Sequence, residues 1–89
     1  MEIRKVEKDK KQHLELLLLA DEQEDMIDRY LERGTMYVLE DDGIRAECVV
    51  TDEGDGVLEL KNIAVQPDCQ GKGYGKALID FLVRTYTGQ

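Results

Sequence analysis

A glycine-rich loop between a predicted strand and a predicted helix constrains this sequence more than any other feature. It reads QGKGYGKA from residue 70, with glycines at positions 71, 73 and 75. Glycine lets the backbone adopt positive φ values and lets a ligand approach the chain closely. The helix that follows adds unpaired N–H groups and a partial positive charge. The loop is therefore typical of a site for an anion, most often a phosphate.

The spacing of these glycines excludes two common phosphate-binding motifs. A P-loop needs glycine where Gln70 stands, five positions before the Gly-Lys pair, and Ser or Thr where Ala77 stands. A dinucleotide fingerprint, G-x-G-x-x-G, needs glycine at position 76 or 78, where this chain has lysine and leucine. The pattern that fits is Q-x-x-G-x-G, formed by Gln70, Gly73 and Gly75.

The remaining segments predict a single domain over residues 1–89. Apolar residues recur with a helical period in three segments and with a period near two in four. In chain order these are a strand over 2–7, helices over 10–20 and 21–34, strands over 35–40, 44–51 and 57–66, and a helix over about 71–86. In the second helix, Asp21 is placed to cap the start and Gly34 to form the end. The predicted order is β-α-α-β-β-β-α.

The composition excludes several classes of protein. The 89 residues, 42% hydrophobic and 36% charged, are typical of one small globular domain. No apolar run is long enough to span a membrane, and no signal-peptide pattern opens the chain. The formal charge of −8 argues against nucleic acid. It suits a cationic partner such as an amine, and the alternative is that the excess of acidic residues only keeps the protein soluble. Two cysteines are too few for a disulfide framework, so we expect a cytoplasmic protein. The two cysteines and one histidine also match no zinc motif, so we expect no metal.

Around Q-x-x-G-x-G the sequence resembles the GNAT superfamily of N-acetyltransferases, which move acetyl from acetyl-CoA to a primary amine. The resemblance covers the whole chain in element order. It is strongest over residues 58–83, LELKNIAVQPDCQGKGYGKALIDFLV, which are similar to the family's strand, pyrophosphate loop and helix. It implies a GNAT-like α/β fold with a mixed sheet, acetyl-CoA as the cosubstrate, and the amine of an unidentified small molecule or peptide as the acceptor.

The resemblance also implies two backbone sites for CoA. Amides of the loop and first helical turn would bind the pyrophosphate, and they belong to Gln70, Gly71, Lys72, Gly73, Tyr74, Gly75 and Lys76. The two lysines would add local positive charge. Backbone groups of Ile63, Ala64 and Val65, at the end of the preceding strand, would pair with the pantetheine arm as with a neighbouring strand.

Two polar residues of that strand have alternative interpretations. Glu59 stands 11 residues before Gln70, a position that resembles the general base of the family's histone acetyltransferases. Such a base is needed because only the free amine attacks, and burial would have to raise its pKa. The alternative is an exposed strand carboxylate. Asn62 would either bind water or substrate near the pantetheine or serve as a plain polar strand residue.

The chain departs from the family where it ends, at RTYTGQ. Family members continue with a further strand, a helix and usually more strands, so the resemblance implies a truncated fold. The general acid would then lie beyond Gln89, and the chain alone would be inactive. We expect an open edge along the strand over 57–65 and incomplete burial of Leu78, Phe81 and Leu82. This edge would pair with a second copy or with the missing C-terminal portion.

Two other functions are compatible with the residues. One is a non-catalytic CoA-binding or interaction module of the same fold. The other is a nucleotide-binding regulatory domain that uses the glycine loop alone. Binding of acetyl-CoA compared with ATP separates the second from the first.

Overall fold

The computed structural model describes residues 1–87 and shows a four-stranded antiparallel sheet with helices on both faces. The strands are β1 (Glu2–Val6), β2 (Thr35–Glu40), β3 (Ile44–Gly54) and β4 (Val57–Val65), and they lie in that order across the sheet. The helices are α1 (Leu14–Ala20), α2 (Glu24–Asp28) and α3 (Tyr74–Tyr86), with short 3-10 turns at Lys10–His13 and Pro67–Cys69. The predicted α/β class and element order are confirmed. Within residues 1–87, no helix is long and apolar enough to cross a membrane.

Alternate residues of the strands bury two hydrophobic clusters, one on each face of the sheet. Under α1 and α2 lie Met36, Val38, Val49, Leu17, Ile27, Tyr30 and Leu31. Under α3 lie Tyr37, Leu39, Ala46, Cys48, Val50 and Leu78. Full burial of one such aliphatic side chain contributes about 1.5–3 kcal/mol relative to leaving it exposed. The second cluster therefore anchors α3, and with it the glycine loop, on the sheet.

A bulge interrupts β4 at its middle. Val49 of β3 pairs with Asn62, whereas the next residue, Val50, pairs with Leu60, so Lys61 is the extra residue. A bulge bends its strand and redirects the neighbouring side chains. Here Asn62 points to the face under α1, where its amide contacts the carbonyl of Leu17.

The second helix is shorter than the sequence predicts, and the cap assigned to Asp21 is wrong. The helix α2 covers only Glu24–Asp28 and starts from Gln23 in an extended conformation, without a side-chain cap. The carboxylate of Asp21 instead accepts a hydrogen bond from the Tyr30 hydroxyl, 3.3 Å away. This contact to a later turn competes with local capping, because one carboxylate cannot point both ways.

Gly34 does not end the second helix as expected, because α2 ends at Asp28 and turns cover residues 29–33; glycine is required here for a steric reason. A Cβ at this position would stand 2.8 Å from the Tyr30 carbonyl oxygen and 2.8 Å from Val49 Cγ1. The chain after α2 is further held by Lys10, whose Nζ donates to the carbonyls of Leu31 (2.8 Å) and Gly34 (2.7 Å). Close packing therefore requires glycine here.

The strand β4 forms an edge of the sheet, since it pairs only with β3 among the described strands. A shallow apolar groove of about 240 Å³ lies between β4 and α3, lined by Val50, Leu58, Leu60, Ile79, Leu82, Val83 and Tyr86. The expected incomplete burial of Leu78 is wrong, because this side chain is fully buried in the cluster with Ala46 and Cys48. Phe81 and Leu82 are partly buried, as expected.

Candidate functional site

Two glycines of the loop adopt a backbone conformation that other residues resist. Gly71 has φ 83° and Gly73 has φ 86°, and Gly73 immediately precedes α3. A Cβ added at either position would meet nothing within 4 Å. Positive φ, not crowding by the fold, is therefore what requires glycine here. The space above the loop is open, as a ligand that approaches the backbone needs.

The start of α3 supplies hydrogen-bond donors to that space. The first bond of the helix runs from the Ala77 amide to the Gly73 carbonyl (3.0 Å), so the amides of the first three helical residues have no helical acceptor. Gly73 has no side chain with which to cap them. The helix is 13 residues long, so its dipole adds a partial positive charge at this end. Together these groups form a site suited to a phosphate or diphosphate.

The two lysines of the loop differ in their surroundings. Lys76 Nζ lies 2.8 Å from Asp80 Oδ2, one turn further along α3, which offsets part of its charge. Lys72 is exposed on the loop before the helix. Lys72 can therefore turn toward an anion at the loop without first breaking an ion pair that the structure shows.

The end of β4 leads directly into the loop. Ile63, Ala64 and Val65 pair with β3 along one side of the strand, and the opposite side is the sheet edge. Val65 Cγ2 lies 3.6 Å from the place where a Cβ on Gly75 would stand, so the strand end touches the first turn of α3. The two backbone regions predicted to bind CoA therefore adjoin each other and form one continuous surface.

The structure places Glu59 on β4 but without the apolar surroundings that a base requires. Its side chain is 51% exposed, and its Oε2 lies 3.1 Å from Lys61 Nζ. The backbone of Glu59 pairs with Thr51, several residues before the strand end that leads to the loop. The role of Glu59 as a base therefore stays a prediction.

A buried carboxyl that the sequence did not reveal lies on the neighbouring strand. Glu47 is fully buried, and neither of its carboxyl oxygens has a hydrogen-bond partner among the described residues. Burial raises the pKa of Glu47 to about 8. In the sequence, Glu47 alternates with the apolar residues Ala46 and Cys48. Its side chain is therefore expected on the other face of β3, in contact with water. Only the packing of α1 and α2 over that face buries it.

Asn62 joins α1 and the turn after α2 to β4. It is buried, and its Nδ2 donates to the Leu17 carbonyl (3.1 Å) and to the Tyr30 hydroxyl (3.0 Å). Burial raises the pKa of Tyr30, which keeps its hydroxyl protonated and able to donate to Asp21. These contacts favour a structural role for Asn62 over contact with a substrate.

Comparison with known proteins identifies the family. Residues 32–89 match the family model described as an acetyltransferase (GNAT) domain. The uncharacterized N-acetyltransferase YvbK of Bacillus subtilis (strain 168) is 41% identical over 66 residues, which are 73% of this chain and 43% of that protein.

Solved structures agree with this match. An IAA acetyltransferase from Bacillus cereus ATCC 14579 is 37% identical, with a TM-score of 0.85 over 98% of this chain and 58% of its own length. A Bacillus subtilis acetyltransferase in complex with CoA is 34% identical, with a TM-score of 0.85 over 94% of this chain and 56% of its own. A GNAT family acetyltransferase from Elizabethkingia anophelis with acetyl-CoA bound is 29% identical, with a TM-score of 0.88. The chain thus spans little more than half the length of these structures, and it belongs to the GNAT family of acetyltransferases.

Proposed function

We propose that this chain binds acetyl-CoA and belongs to a protein that transfers the acetyl group to a primary amine. The observation that carries the proposal is the pair of positive-φ glycines, Gly71 and Gly73, directly before the free amides of a 13-residue helix. The Bacillus subtilis and Elizabethkingia anophelis relatives, with CoA and acetyl-CoA bound, support the choice of ligand.

In this proposal the diphosphate lies against the loop and the first turn of α3. Its oxygens accept hydrogen bonds from backbone amides of residues 70–76. The pantetheine arm extends along the free edge of β4 at Ile63, Ala64 and Val65, where its amide groups pair as a strand would. Lys72 and Lys76 contribute positive charge near the phosphates in a chain whose formal charge is −8.

The transfer forms a C–N bond and breaks the C–S bond of the thioester. The acceptor must attack as a free amine, which loses a proton after attack, and the departing CoA thiolate gains one. Glu59 is the proposed acceptor of the amine proton. For this role its ion pair with Lys61, at 3.1 Å, has to open and its surroundings have to become drier.

The acceptor is proposed to be a primary amine of a small molecule or peptide. Amines are cationic near neutral pH, and an acidic protein raises the local concentration of cations through its overall field. The excess of 20 Asp and Glu residues over 12 Lys and Arg residues is compatible with this class of acceptor.

Calorimetric titration of the chain with acetyl-CoA and, separately, with ATP tests the choice of ligand. We expect measurable binding of acetyl-CoA and an affinity for ATP that is at least tenfold lower. Equal affinities would favour a nucleotide-binding domain and contradict the proposal. Release of free thiol from acetyl-CoA, in the presence of a panel of amines, then separates an enzyme from a module that only binds CoA.

A further inference from the structure

The turn between β2 and β3 reaches across to the start of α3. The hydroxyl of Tyr74, the first residue of α3, donates a hydrogen bond to Asp41 Oδ2 at a distance of 2.7 Å. Asp41 lies 33 positions earlier in the chain, immediately after β2. The side chain of Tyr74 is therefore directed to the turn, which leaves only its backbone amide for the open space over the loop.

Arg45, the second residue of β3, contacts both this turn and the segment before the loop. Its Nε donates to the Asp41 carbonyl (2.7 Å), and a terminal guanidinium nitrogen donates to the Asp42 carbonyl. Its Nη1 lies 3.9 Å from the sulfur of Cys69, in the middle of the segment that leads to the loop. The backbone carbonyl of Arg45 accepts from the Gln66 amide (2.9 Å), where that segment begins.

We propose that Asp41, Arg45 and Tyr74, named here the turn clamp, position the glycine loop for the CoA diphosphate. The clamp holds the segment at Gln66, at Cys69 and at Tyr74, so the two positive-φ glycines lie between fixed points. Glycine has the largest backbone freedom to lose, and fixing it before a ligand arrives removes that loss from the binding step. The proposal rests on the proposed binding of CoA and assigns Tyr74 and Asp41 as positioning residues.

The charges around Asp41 are compatible with an anion site close by. Its Oδ2 accepts from Tyr74, its Oδ1 lies 3.9 Å from the amino terminus of Met1, and the cationic Arg45 contacts its carbonyl. A carboxylate with these neighbours repels a nearby phosphate less than an unpaired one does. Asp41 can therefore hold Tyr74 without opposing the ligand.

The test removes the Tyr74 hydroxyl and leaves its ring. In Tyr74→Phe we expect the dissociation constant for CoA to rise about three- to tenfold, as for one lost hydrogen bond. Pantetheine, which lacks the diphosphate, should bind Tyr74→Phe and the unmodified chain alike. The matched control is Tyr86→Phe, which removes a hydroxyl 2.9 Å from that of Tyr37 at the other end of α3 and should leave CoA affinity within about twofold.

A second test replaces Asp41, which accepts the hydrogen bond from Tyr74. Asp41→Asn keeps an oxygen that can accept from Tyr74 and should keep most of the affinity for CoA, whereas Asp41→Ala should lose as much as Tyr74→Phe. In the ligand-free chain, amide hydrogen exchange at Gly71 and Gly73 should be faster in Tyr74→Phe and unchanged in Tyr86→Phe.

Unchanged exchange at both glycines in Tyr74→Phe would overturn the clamp, whatever the ligand. Equal loss of CoA and pantetheine affinity would also overturn it, because the hydroxyl would then support the fold in general and not the diphosphate site. If the unmodified chain has no affinity for CoA although exchange changes as expected, the proposed function fails and the ordering of the loop by the clamp stands.

Discussion

Replacing the buried carboxyl of Glu47 by an amide should change how stability depends on pH. Glu47 is fully buried on β3, and neither carboxyl oxygen has a partner among the described residues. Burial disfavours the charged form and raises its pKa from 4.5 to about 8. Glu47→Gln keeps the size of the side chain and removes the charge, so it isolates this one ionisation.

The sign follows from proton counting. Between pH 4.5 and about 8, the folded chain keeps a proton on Glu47 that the unfolded chain has lost. Stability from this group is therefore complete below pH 4.5 and falls as the pH rises toward 8. The steepest slope that one group can give is about 1.4 kcal/mol per pH unit. Relaxation of the surroundings reduces it, so we expect a total loss on the order of 2–4 kcal/mol across the window.

Urea unfolding at pH 5, 6, 7 and 8 measures this directly. The free energy of unfolding of the unmodified chain should fall relative to that of Glu47→Gln over this range, so that the difference between the two grows by roughly 1 kcal/mol per pH unit. Glu22→Gln, a change at an exposed carboxylate, is the matched control and should follow the unmodified chain. Parallel pH profiles for the unmodified chain and Glu47→Gln would refute the assignment of a protonated, buried Glu47.

Three further predictions concern the loop, the base and the sheet edge. Gly73→Val should lose CoA affinity in calorimetry, because a β-branched residue at φ 86° costs about 1–3 kcal/mol before any contact with the ligand is lost. Lys72→Ala should lose less affinity. Equal CoA affinity of Gly73→Val and the unmodified chain would contradict this prediction. If Glu59 is the base, Glu59→Gln in an active protein should lower turnover about a hundredfold near neutral pH, with a smaller deficit as the pH approaches the amine pKa; an unchanged pH–rate profile would remove Glu59 from the mechanism. The 89-residue chain should be inactive alone and should associate through the β4 edge over residues 57–60, which leaves Ile63, Ala64 and Val65 to the pantetheine arm. Sedimentation as a stable monomer with acetyltransferase activity would show this to be wrong.

Much of the fold follows from local patterns in the sequence. The strand over 35–40 was predicted with the bounds that the structure shows, because TMYVLE is rich in strand formers and lies between Gly34 and the turn DDG. The glycine loop and the helix after it were also predicted from spacing alone, because positive φ favours glycine and the apolar residues of the helix recur with a helical period.

The errors concern contacts between distant parts of the chain. Asp21 has the residue type of a helix cap, but Tyr30 lies within hydrogen-bond reach and takes its carboxylate. Glu47 alternates with apolar residues as an exposed strand residue does, and only the helices over that face bury it. Leu78 was expected to be incompletely buried because α3 would lack part of the sheet it covers, but the strands present already bury this side chain against Ala46 and Cys48. In each case tertiary packing overrides a correct local rule.

The most direct test of the account is the site of CoA binding on the chain, mapped by the amide signals in two-dimensional nuclear magnetic resonance spectra. On addition of CoA, we expect the largest shifts at residues 70–76 and at Ile63, Ala64 and Val65, with small shifts in the apolar groove at Leu58 and Ile79. Substitution of Gly73 by valine should reduce the shifts at the loop. Shifts confined to the groove, or no shifts at millimolar CoA, would contradict the claim that the glycine loop and the end of β4 form the CoA site.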